Sequence, residues 1–168
     1  MQLVNLGRRE ADIAIRFHRP TEPNLVVRRL AESCSALYGS REYVSKFGKL
    51  RDATNLHGHQ LIGFAPEFSV ATEDKYVRDH GDEKNLVLMV DSVLSMRTAI
   101  KSGAGIGIME CYLGDSDPDL VRVWDQPVFK EPWWLVVHRD LRQAARIRAV
   151  MDFLIGLAKT NKNRLLGI

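Results

Sequence analysis

Short runs in which apolar and polar residues alternate occupy the first part of the chain, and this pattern is typical of β-strands. We predict strands over residues 11–17, 25–30 and 34–38, with proline-rich turn residues between the first two. The segments that join these strands are too short to contain helices. The opening of the chain is therefore predicted to consist of closely connected strands.

From residue 39 onward, helical and strand patterns alternate. Ser40 is predicted to cap a short helix over residues 41–47, and a strand over 61–64 follows. A helical pattern covers 67–80, and 85–90 is an uninterrupted apolar run. Such a run is typical of a strand that is buried on both faces.

The second half of the chain repeats this alternation. Asp91 or Ser92 is predicted to cap a helix that Gly103 ends, and strands are predicted over 105–109, 120–124 and 133–137. A last helix is predicted over 143–159. Its apolar stripe consists of Ile147, Val150, Met151, Leu154 and Leu157.

The order of these elements predicts the fold class. Strands that alternate with helices are typical of a mostly parallel sheet covered on both faces. The chain contains no internal repeat, low-complexity tract or linker. The fold class is therefore predicted to be α/β.

The composition excludes some classes of protein. Of the 168 residues, 45% are apolar and 27% are charged, which is ordinary for a globular domain. No apolar run approaches the roughly 20 residues that a membrane helix needs, and Arg8 and Arg9 interrupt any signal peptide. We therefore expect a cytoplasmic protein that does not contact a membrane.

Neither the charge nor the cysteine content indicates a nucleic-acid partner or a disulfide. The net charge of +3 is too small to indicate nucleic-acid binding. The basic residues after Arg139 are interpreted as a solvated face, with a phosphate-binding surface as the alternative. Cys34 and Cys111 have apolar neighbours and are predicted to be small buried side chains, with a disulfide as the alternative.

Three motifs suggest a cofactor or metal site, but none has the required context. The glycine-rich segment 103–107 follows a helix, whereas a phosphate-binding loop follows a strand and opens a helix. Asp115, Asp117 and Asp119 lack the later glycine and glutamate of a calcium loop, so we interpret them as a solvated turn. The histidines in 57–59 have no further ligand at a familiar spacing.

Catalytic motifs are also absent from the sequence. It contains no nucleophile elbow, zinc-protease motif or P-loop. A dyad assembled from distant residues is left open. We predict no catalytic residue, no metal and no cofactor, and therefore a protein that is not an enzyme.

Polar groups at strand ends suggest ligand binding instead. In open α/β sheets, ligands bind where loops and helix N-termini follow the strands. Arg16 with Phe17, Ser40 and Ser92 stand at such positions and would suit a small polar or anionic molecule. For each residue taken singly, helix capping or a surface ion pair is the alternative.

Four segments in order resemble the effector-binding domain of LysR-type transcriptional regulators. They are RREADIAIR at 8–16, LYGSREYV at 37–44, DSVLSMRTA with SGAGIG at 91–107, and LVVHR with the following helix at 135–154. The resemblance covers most of the chain, although no single segment is specific. It implies a periplasmic-binding-protein-like type 2 fold with two Rossmann-like lobes.

The resemblance also implies a domain organisation and a function. The first lobe would comprise residues 1–36 and 130–168, and the second 37–129. A small-molecule effector would bind in a cleft between the lobes and modulate DNA binding by a winged helix-turn-helix, in a homo-oligomer. DNA would be contacted only through a domain absent from these residues. The effector-binding positions would be Arg16, Phe17, Ser40, Phe64, Ser92 and Gly105.

Two departures from the family pattern affect these expectations. Glu110 stands where the family usually has proline, which would place an extra carboxylate at or beside the cleft and favour a cationic or hydroxylated effector, with simple exposure to solvent as the alternative. The opening strands and helices of the first lobe have no counterpart before Met1, so we expect that lobe to be incomplete. Ile13, Ile15 and Val136 would then lose packing partners, and the chain would be marginally stable or self-associating.

Two other functions compete with effector sensing in a regulator. A stand-alone small-molecule binding protein of the same fold would have no DNA partner. An α/β enzyme is supported only by the polar groups at the strand ends.

Overall fold

The computed structural model describes residues 10–65 and 72–168. The strands are β1 (Ile13–Arg16), β2 (Leu25–Ser40), β3 (Leu61–Phe64), β4 (Leu86–Val90), β5 (Gly107–Glu110), β6 (Leu120–Arg122) and β7 (Phe129–His138). The helices are α1 (Arg41–Phe47), α2 (Thr72–His80), α3 (Val93–Lys101), α4 (Cys111–Gly114), α5 (Ala145–Thr160) and α6 (Lys162–Leu166). Short 3-10 helices cover Glu83–Asn85 and Arg139–Leu141.

The chain forms two compact units. Unit 1 comprises the described residues up to Ser33, then Glu131–Leu166, and Ile168. Unit 2 comprises Cys34–Lys130 and Gly167. The lobe boundaries that the resemblance implied, after residues 36 and 129, stay a prediction. The strands β2 and β7 each contribute residues to both units.

Unit 1 is built on antiparallel strands. β7 lies between β1 and β2, and it pairs with β1 from Ile13 opposite Val137 to Arg16 opposite Trp134. Val136 is fully buried, whereas Ile15 is 41% exposed. Ile13 is half-buried. The expected exposure is therefore found at Ile15, on the edge strand β1, and was wrong for Val136, because β7 is the inner of the two strands.

Helix α5 of unit 1 carries the predicted apolar stripe, but only part of that stripe is buried. Ile147 is buried, but Val150 and Leu157 are about half exposed. The apolar arc of this helix is wider than the surface that it packs against, so part of the arc faces solvent.

Unit 2 contains both strand orientations, which corrects the prediction of a mostly parallel sheet. β3 and β4 are parallel, and Leu61 forms a parallel bridge to Ile106, as the strand–helix–strand order of this segment predicts. β2, however, pairs antiparallel with both β5 and β6. These pairs join distant parts of the chain, so local patterns do not reveal their direction.

Strand β2 is longer than expected. Two strands were predicted over 25–30 and 34–38, but one strand runs from Leu25 to Ser40. The polar residues Glu32 and Ser33 suggested a break in the sequence. Pairing with neighbouring strands stabilises an extended backbone whatever the local propensity. The strand therefore continues through Glu32 and Ser33.

Strand β4 is not buried on both faces, and that prediction was wrong. Val87, Leu88 and Met89 are between 39% and 51% exposed. β4 is an edge of the two-stranded parallel sheet, in which it pairs with β3. An edge strand has a neighbour on one side only, so its apolar sequence alone does not bury it.

The main core lies in unit 2. It contains buried side chains from β2, β3, β5 and the segments around them: Leu37, Tyr43, Leu50, Leu56, Leu61, Val77, Ile106, Ile108 and Val123.

The first part of the helical pattern at 67–80 lies outside the described residues, and its later part is α2. Over the two described ranges, no helix is long and apolar enough to cross a bilayer.

Candidate functional site

Arg16 and Phe17 lie at the carboxyl end of β1 in unit 1. Arg16 is half-buried and stands opposite Trp134 on β7. Phe17 is 47% exposed and contacts Trp133 edge to face, with ring centroids 5.8 Å apart. The guanidinium of Arg19 lies 5.3 Å from the ring centroid of Trp134. This end of β1 is therefore an aromatic surface that carries positive charge.

Ser40 and Gly105 lie together in unit 2. The Ser40 hydroxyl oxygen accepts the N–H of Tyr43 at 3.0 Å and caps α1, as predicted. The Tyr43 hydroxyl in turn accepts the N–H of Gln60 at 2.9 Å. A Cβ on Gly105 would lie 2.5 Å from the Gln60 carbonyl oxygen, so only glycine fits there. A Cβ on Gly103 would lie 3.6 Å from the Ser40 hydroxyl oxygen.

Phe64 and Ser92 also lie together. Phe64 ends β3 opposite Val90, which ends β4, and the N–H of Ala65 donates to the Val90 carbonyl at 2.8 Å. Ser92 caps α3 by accepting the N–H of Ser95 at 3.2 Å. These are the carboxyl ends of parallel strands, where α/β folds bind ligands.

The two pairs in unit 2 occupy opposite ends of its strands. Tyr38 pairs with Gly107, so β2 ends where β5 begins, and Ser40 therefore lies near Gly105. β3 and β4 run parallel to each other, and Leu61 bridges in parallel to Ile106 at the start of β5. The carboxyl ends of β3 and β4 therefore lie about 10 Å from the Ser40–Gly105 pair, measured along the strand direction.

Glu110 lies at the same end of unit 2 as Phe64 and Ser92. It is the last residue of β5 and stands opposite Ser35 on β2. It also raises the pKa of Tyr112, although burial of that phenol is the larger cause. The candidate residues thus fall into three places: the end of β1, the Ser40–Gly105 end of unit 2, and the Phe64–Ser92 end. Their role in effector binding stays a prediction.

His59 is a buried titratable residue that the sequence did not single out as a site. It is 9% exposed, and burial lowers its pKa below the ordinary 6.5. Its Nδ1 lies 3.4 Å from the Tyr43 hydroxyl, on the Ser40–Gly105 side. Within residues 10–65 and 72–168, no group of His, Cys, Asp or Glu is arranged to hold a metal ion.

The prediction of a solvated turn at 115–119 was wrong for Asp117, which is buried. Its residue is 2% exposed, and it accepts hydrogen bonds from Arg97 Nε at 2.8 Å and Lys101 Nζ at 3.2 Å. Burial opposes its ionisation, but these bonds and the Asp119 N–H outweigh it and hold the pKa of Asp117 below its ordinary value. The sequence could not show this, since both cations come from the distant helix α3.

The two cysteines are free and buried, as predicted. Burial raises the pKa of the Cys111 thiol, which therefore stays protonated and unreactive at neutral pH. Beside it, the Tyr38 hydroxyl donates to Asp115 at 2.8 Å, and Arg122 binds both Asp115 oxygens. This cluster stabilises the fold of unit 2.

Comparison with known proteins identifies the family. The LysR substrate binding domain matches residues 1–159. The transcriptional regulator CrgA of Neisseria meningitidis serogroup C is 28% identical over 160 residues, which is 90% of this chain and 53% of CrgA. The chain thus spans about half the length of the curated relatives that it matches.

Solved structures show the same fold. The regulatory domain of CrgA from Neisseria meningitidis is 27% identical, with a TM-score of 0.75 over 92% of this chain and 79% of that one. Full-length AphB of Vibrio cholerae has a TM-score of 0.69 at 22% identity, over 92% of this chain and 54% of AphB. The regulatory domain of Synechocystis PCC6803 CcmR, solved in complex with 2-PG, has a TM-score of 0.67 at 17% identity, over 92% of this chain and 76% of that one.

The last two likenesses concern the fold alone, whereas the family match covers nearly the whole sequence. The chain therefore belongs to the LysR substrate binding domain family, with the periplasmic-binding-protein-like type 2 α/β fold of LysR regulatory domains.

Proposed function

We propose that this chain is the effector-sensing domain of a LysR-type transcriptional regulator. It binds a small metabolite, and binding modulates the DNA affinity of a winged helix-turn-helix outside residues 1–168. The observation that carries this proposal is the family match over residues 1–159. The matched curated relatives are themselves transcriptional regulators. The domain performs no chemistry of its own, acts in the cytoplasm and works as a homo-oligomer.

The surface in unit 2 best suited to the effector is the end that carries Phe64, Ser92 and Glu110. Phe64 offers an apolar ring, Ser92 a hydroxyl at the N-terminus of α3, and Glu110 a carboxylate at the end of β5. A hydroxylated molecule can donate to the carboxylate and accept at the helix N-terminus. The complex of CcmR with 2-PG is consistent with a small polar ligand in this fold.

The remaining candidate residues take different parts in this proposal. Arg16 and Phe17 form a separate candidate contact surface in unit 1, where the guanidinium can pair with an acidic group of a ligand. Ser40 and Ser92 both cap helices, but Ser40 is only 5% exposed whereas Ser92 lies on the surface. Gly105 allows the close approach of Gln60. We therefore propose a supporting role for Ser40 and Gly105, without direct contact to the effector.

The experiment that tests the proposal is a thermal-shift screen of the 168-residue chain against small hydroxylated metabolites and carboxylates. Hits are then titrated by isothermal calorimetry. We expect a stabilising ligand whose affinity falls about tenfold in Ser92→Ala and Glu110→Gln. Ser45→Ala, on an exposed position of α1, should bind as the unchanged chain does.

Three outcomes would contradict the proposal. The screen can yield no ligand, or the Ser92 and Glu110 variants can bind a hit with unchanged affinity, which would remove the site from this end of unit 2. Turnover of a hit, detected by product analysis, would show an enzyme instead of a sensor.

A further inference from the structure

Cys34 and Cys111, both in unit 2, lie opposite each other at the end of the β2–β5 pairing. The two strands are antiparallel, with Ser35 opposite Glu110, so the next position of the same register places Cys34 opposite Cys111. Strand β5 ends at Glu110, but the ψ of Glu110 is an extended 136°, which carries the chain along the strand direction to the Cα of Cys111. Opposite residues of antiparallel strands have Cα atoms about 4.5 or 5.5 Å apart. Both separations lie within the range of about 4.4–6.8 Å that a disulfide requires.

The two side chains also share a face of the sheet. Alternate residues of a strand point the same way, so Cys34 lies on the face of β2 that carries Tyr38. Helix α4, which Cys111 begins, covers this face, since a Cβ on Gly114 would lie 2.3 Å from the Tyr38 Cζ. Burial is the largest influence on the pKa of Cys111, but the Tyr38 hydroxyl lowers that pKa and the Cys34 thiol raises it. The two sulphurs are therefore close enough to interact.

Burial decides which oxidant can reach this pair, and at which sulphur. Cys34 is 7% exposed and Cys111 is fully buried, and neither is in a disulfide. Gly167 covers Cys111, because a Cβ on that glycine would lie 3.0 Å from the Cys111 Sγ. A bulky oxidant such as glutathione disulfide cannot reach these sulphurs, whereas hydrogen peroxide is little larger than water. The first oxidation should occur at Cys34, since it is the more exposed of the two and the raised pKa of Cys111 keeps that thiol protonated.

We propose that Cys34 and Cys111 are a peroxide-sensitive pair of thiols that oxidation converts into a cross-strand disulfide. The Cys34 sulphur attacks one oxygen of hydrogen peroxide, the O–O bond breaks, and Cys34 becomes a sulfenic acid while the other oxygen leaves as water. The Cys111 sulphur then attacks the Cys34 sulphur, the S–OH bond breaks, and the hydroxide leaves with the Cys111 proton as a second water. The two thiols thus supply the two electrons that reduce the peroxide.

The disulfide would form directly beside Glu110. It would fix the backbone at the end of β5 and with it the position of the Glu110 carboxylate. In a reducing compartment the bond would persist only while the oxidant is present. An effect of oxidation on effector affinity rests on the proposed function, whereas the disulfide itself does not. The test therefore detects the covalent bond and needs no effector.

The test treats the 168-residue chain with hydrogen peroxide and then labels free thiols with N-ethylmaleimide under denaturing conditions. The untreated chain should take up the label at both cysteines, and the oxidised chain at neither. The intact mass of the unlabelled oxidised chain should be about 2 Da lower, because two hydrogens are lost. Peptide mapping should recover Cys34 joined to Cys111, and dithiothreitol should restore both thiols.

Single variants separate the two roles. In C111S the Cys34 sulfenic acid has no thiol to react with, so dimedone should trap it. In C34S, dimedone labelling of Cys111 should be at least about tenfold weaker, because that thiol is covered and protonated.

A matched control moves the thiol without changing the composition. C34S/S35C exchanges two neighbouring residues of β2 and places the thiol on the opposite face of the strand, so no internal disulfide should form. If circular dichroism shows that this variant does not fold, peptide mapping of the original chain and dimedone trapping in C111S still decide.

Other outcomes would overturn the proposal. Labelling of both cysteines after peroxide treatment would do so, as would disulfide-linked dimers on a non-reducing gel in place of an internal bond. Equal formation of the internal bond in C34S/S35C would show that any two cysteines join when the chain opens, and would remove the geometric basis of the pair. Stronger dimedone labelling of Cys111 in C34S than of Cys34 in C111S would contradict the assigned order of attack.

Discussion

Unit 1 and unit 2 are similarly rich in apolar residues but bury them differently. In unit 2, side chains from several strands and helices close around Leu37, Leu61 and Ile106, which are at most 1% exposed. Among the described residues of unit 1, the fully buried side chains Leu135–Val137 all come from one strand, β7. Apolar content therefore does not make a core by itself, since each apolar face needs a second layer to pack against.

Exposed apolar residues occur in both units, but in different settings. Those of β4 in unit 2 lie on an edge strand, beside a core that is complete without them. The exposed apolar residues of β1 and α5 in unit 1 are among the main large apolar side chains that this unit has. Unit 1 should consequently be the less stable of the two, and self-association of the chain, if it occurs, should involve unit 1.

A matched pair of truncations should show the largest difference between the units. Leu61→Ala in unit 2 removes a side chain that is 1% exposed and should lower the free energy of unfolding by about 2–5 kcal/mol. Leu157→Ala in unit 1, at 50% exposure, should change it by less than about 0.5 kcal/mol. Urea denaturation monitored by circular dichroism measures both. Equal losses would mean that α5 is covered in solution.

Glycine substitutions should differ in sign between the units. Gly105→Ala brings a Cβ to 2.5 Å from the Gln60 carbonyl oxygen and should destabilise unit 2 by about 1–3 kcal/mol. Gly156→Ala, in α5 with open space around it, should stabilise unit 1 by about 0.5–1 kcal/mol. Thermal unfolding of both variants checks the sign of each stability change. A higher unfolding temperature for Gly105→Ala would contradict the packing described for Gln60.

Loss of the α1 cap should have a moderate effect on unit 2. Ser40→Ala removes the acceptor for the Tyr43 N–H and should cost about 1 kcal/mol of unfolding free energy. Ser40→Thr keeps a hydroxyl acceptor and serves as the control. If the alanine variant is as stable as the threonine variant, the cap contributes nothing measurable.

The smallest effect should be a dependence of the stability of unit 2 on pH. Burial lowers the folded pKa of His59 below 6.5, so the neutral imidazole is the form that the fold accommodates. The contribution of His59 to stability is therefore complete above pH 6.5 and declines as the pH falls toward the folded pKa. Stability measured between pH 5 and 8 should show this decline, and His59→Gln should reduce it.

Local patterns predicted the local parts of this fold well. The bounds of α1 and β3 are those predicted, and Ser40 and Ser92 cap their helices as expected. Each of these features depends on residues within a few positions of one another. By contrast, the continuity of β2, the exposure of β4 and the ion pairs of Asp117 depend on neighbours that are distant in the chain. The short helices α4 and α6 were not predicted.

The candidate site shows the same division. The sequence identified Arg16, Ser40 and Ser92 as polar groups at strand ends, because a strand that stops before a capped helix is visible in the pattern. It could not show that Ser40 and Ser92 lie at opposite ends of unit 2, since this follows from the antiparallel pairing of β2 with β5. Strand direction is a property of the pairing and not of either strand alone.

The sequence by itself determined the α/β class, most of the local elements and the family, because apolar periodicity, helix caps and ordered motifs are all encoded by nearby residues. Only the tertiary structure decided which apolar faces are covered. Burial of β4, of Ile15 and of the stripe on α5 depends on whether another element packs against them, and no local pattern contains that element.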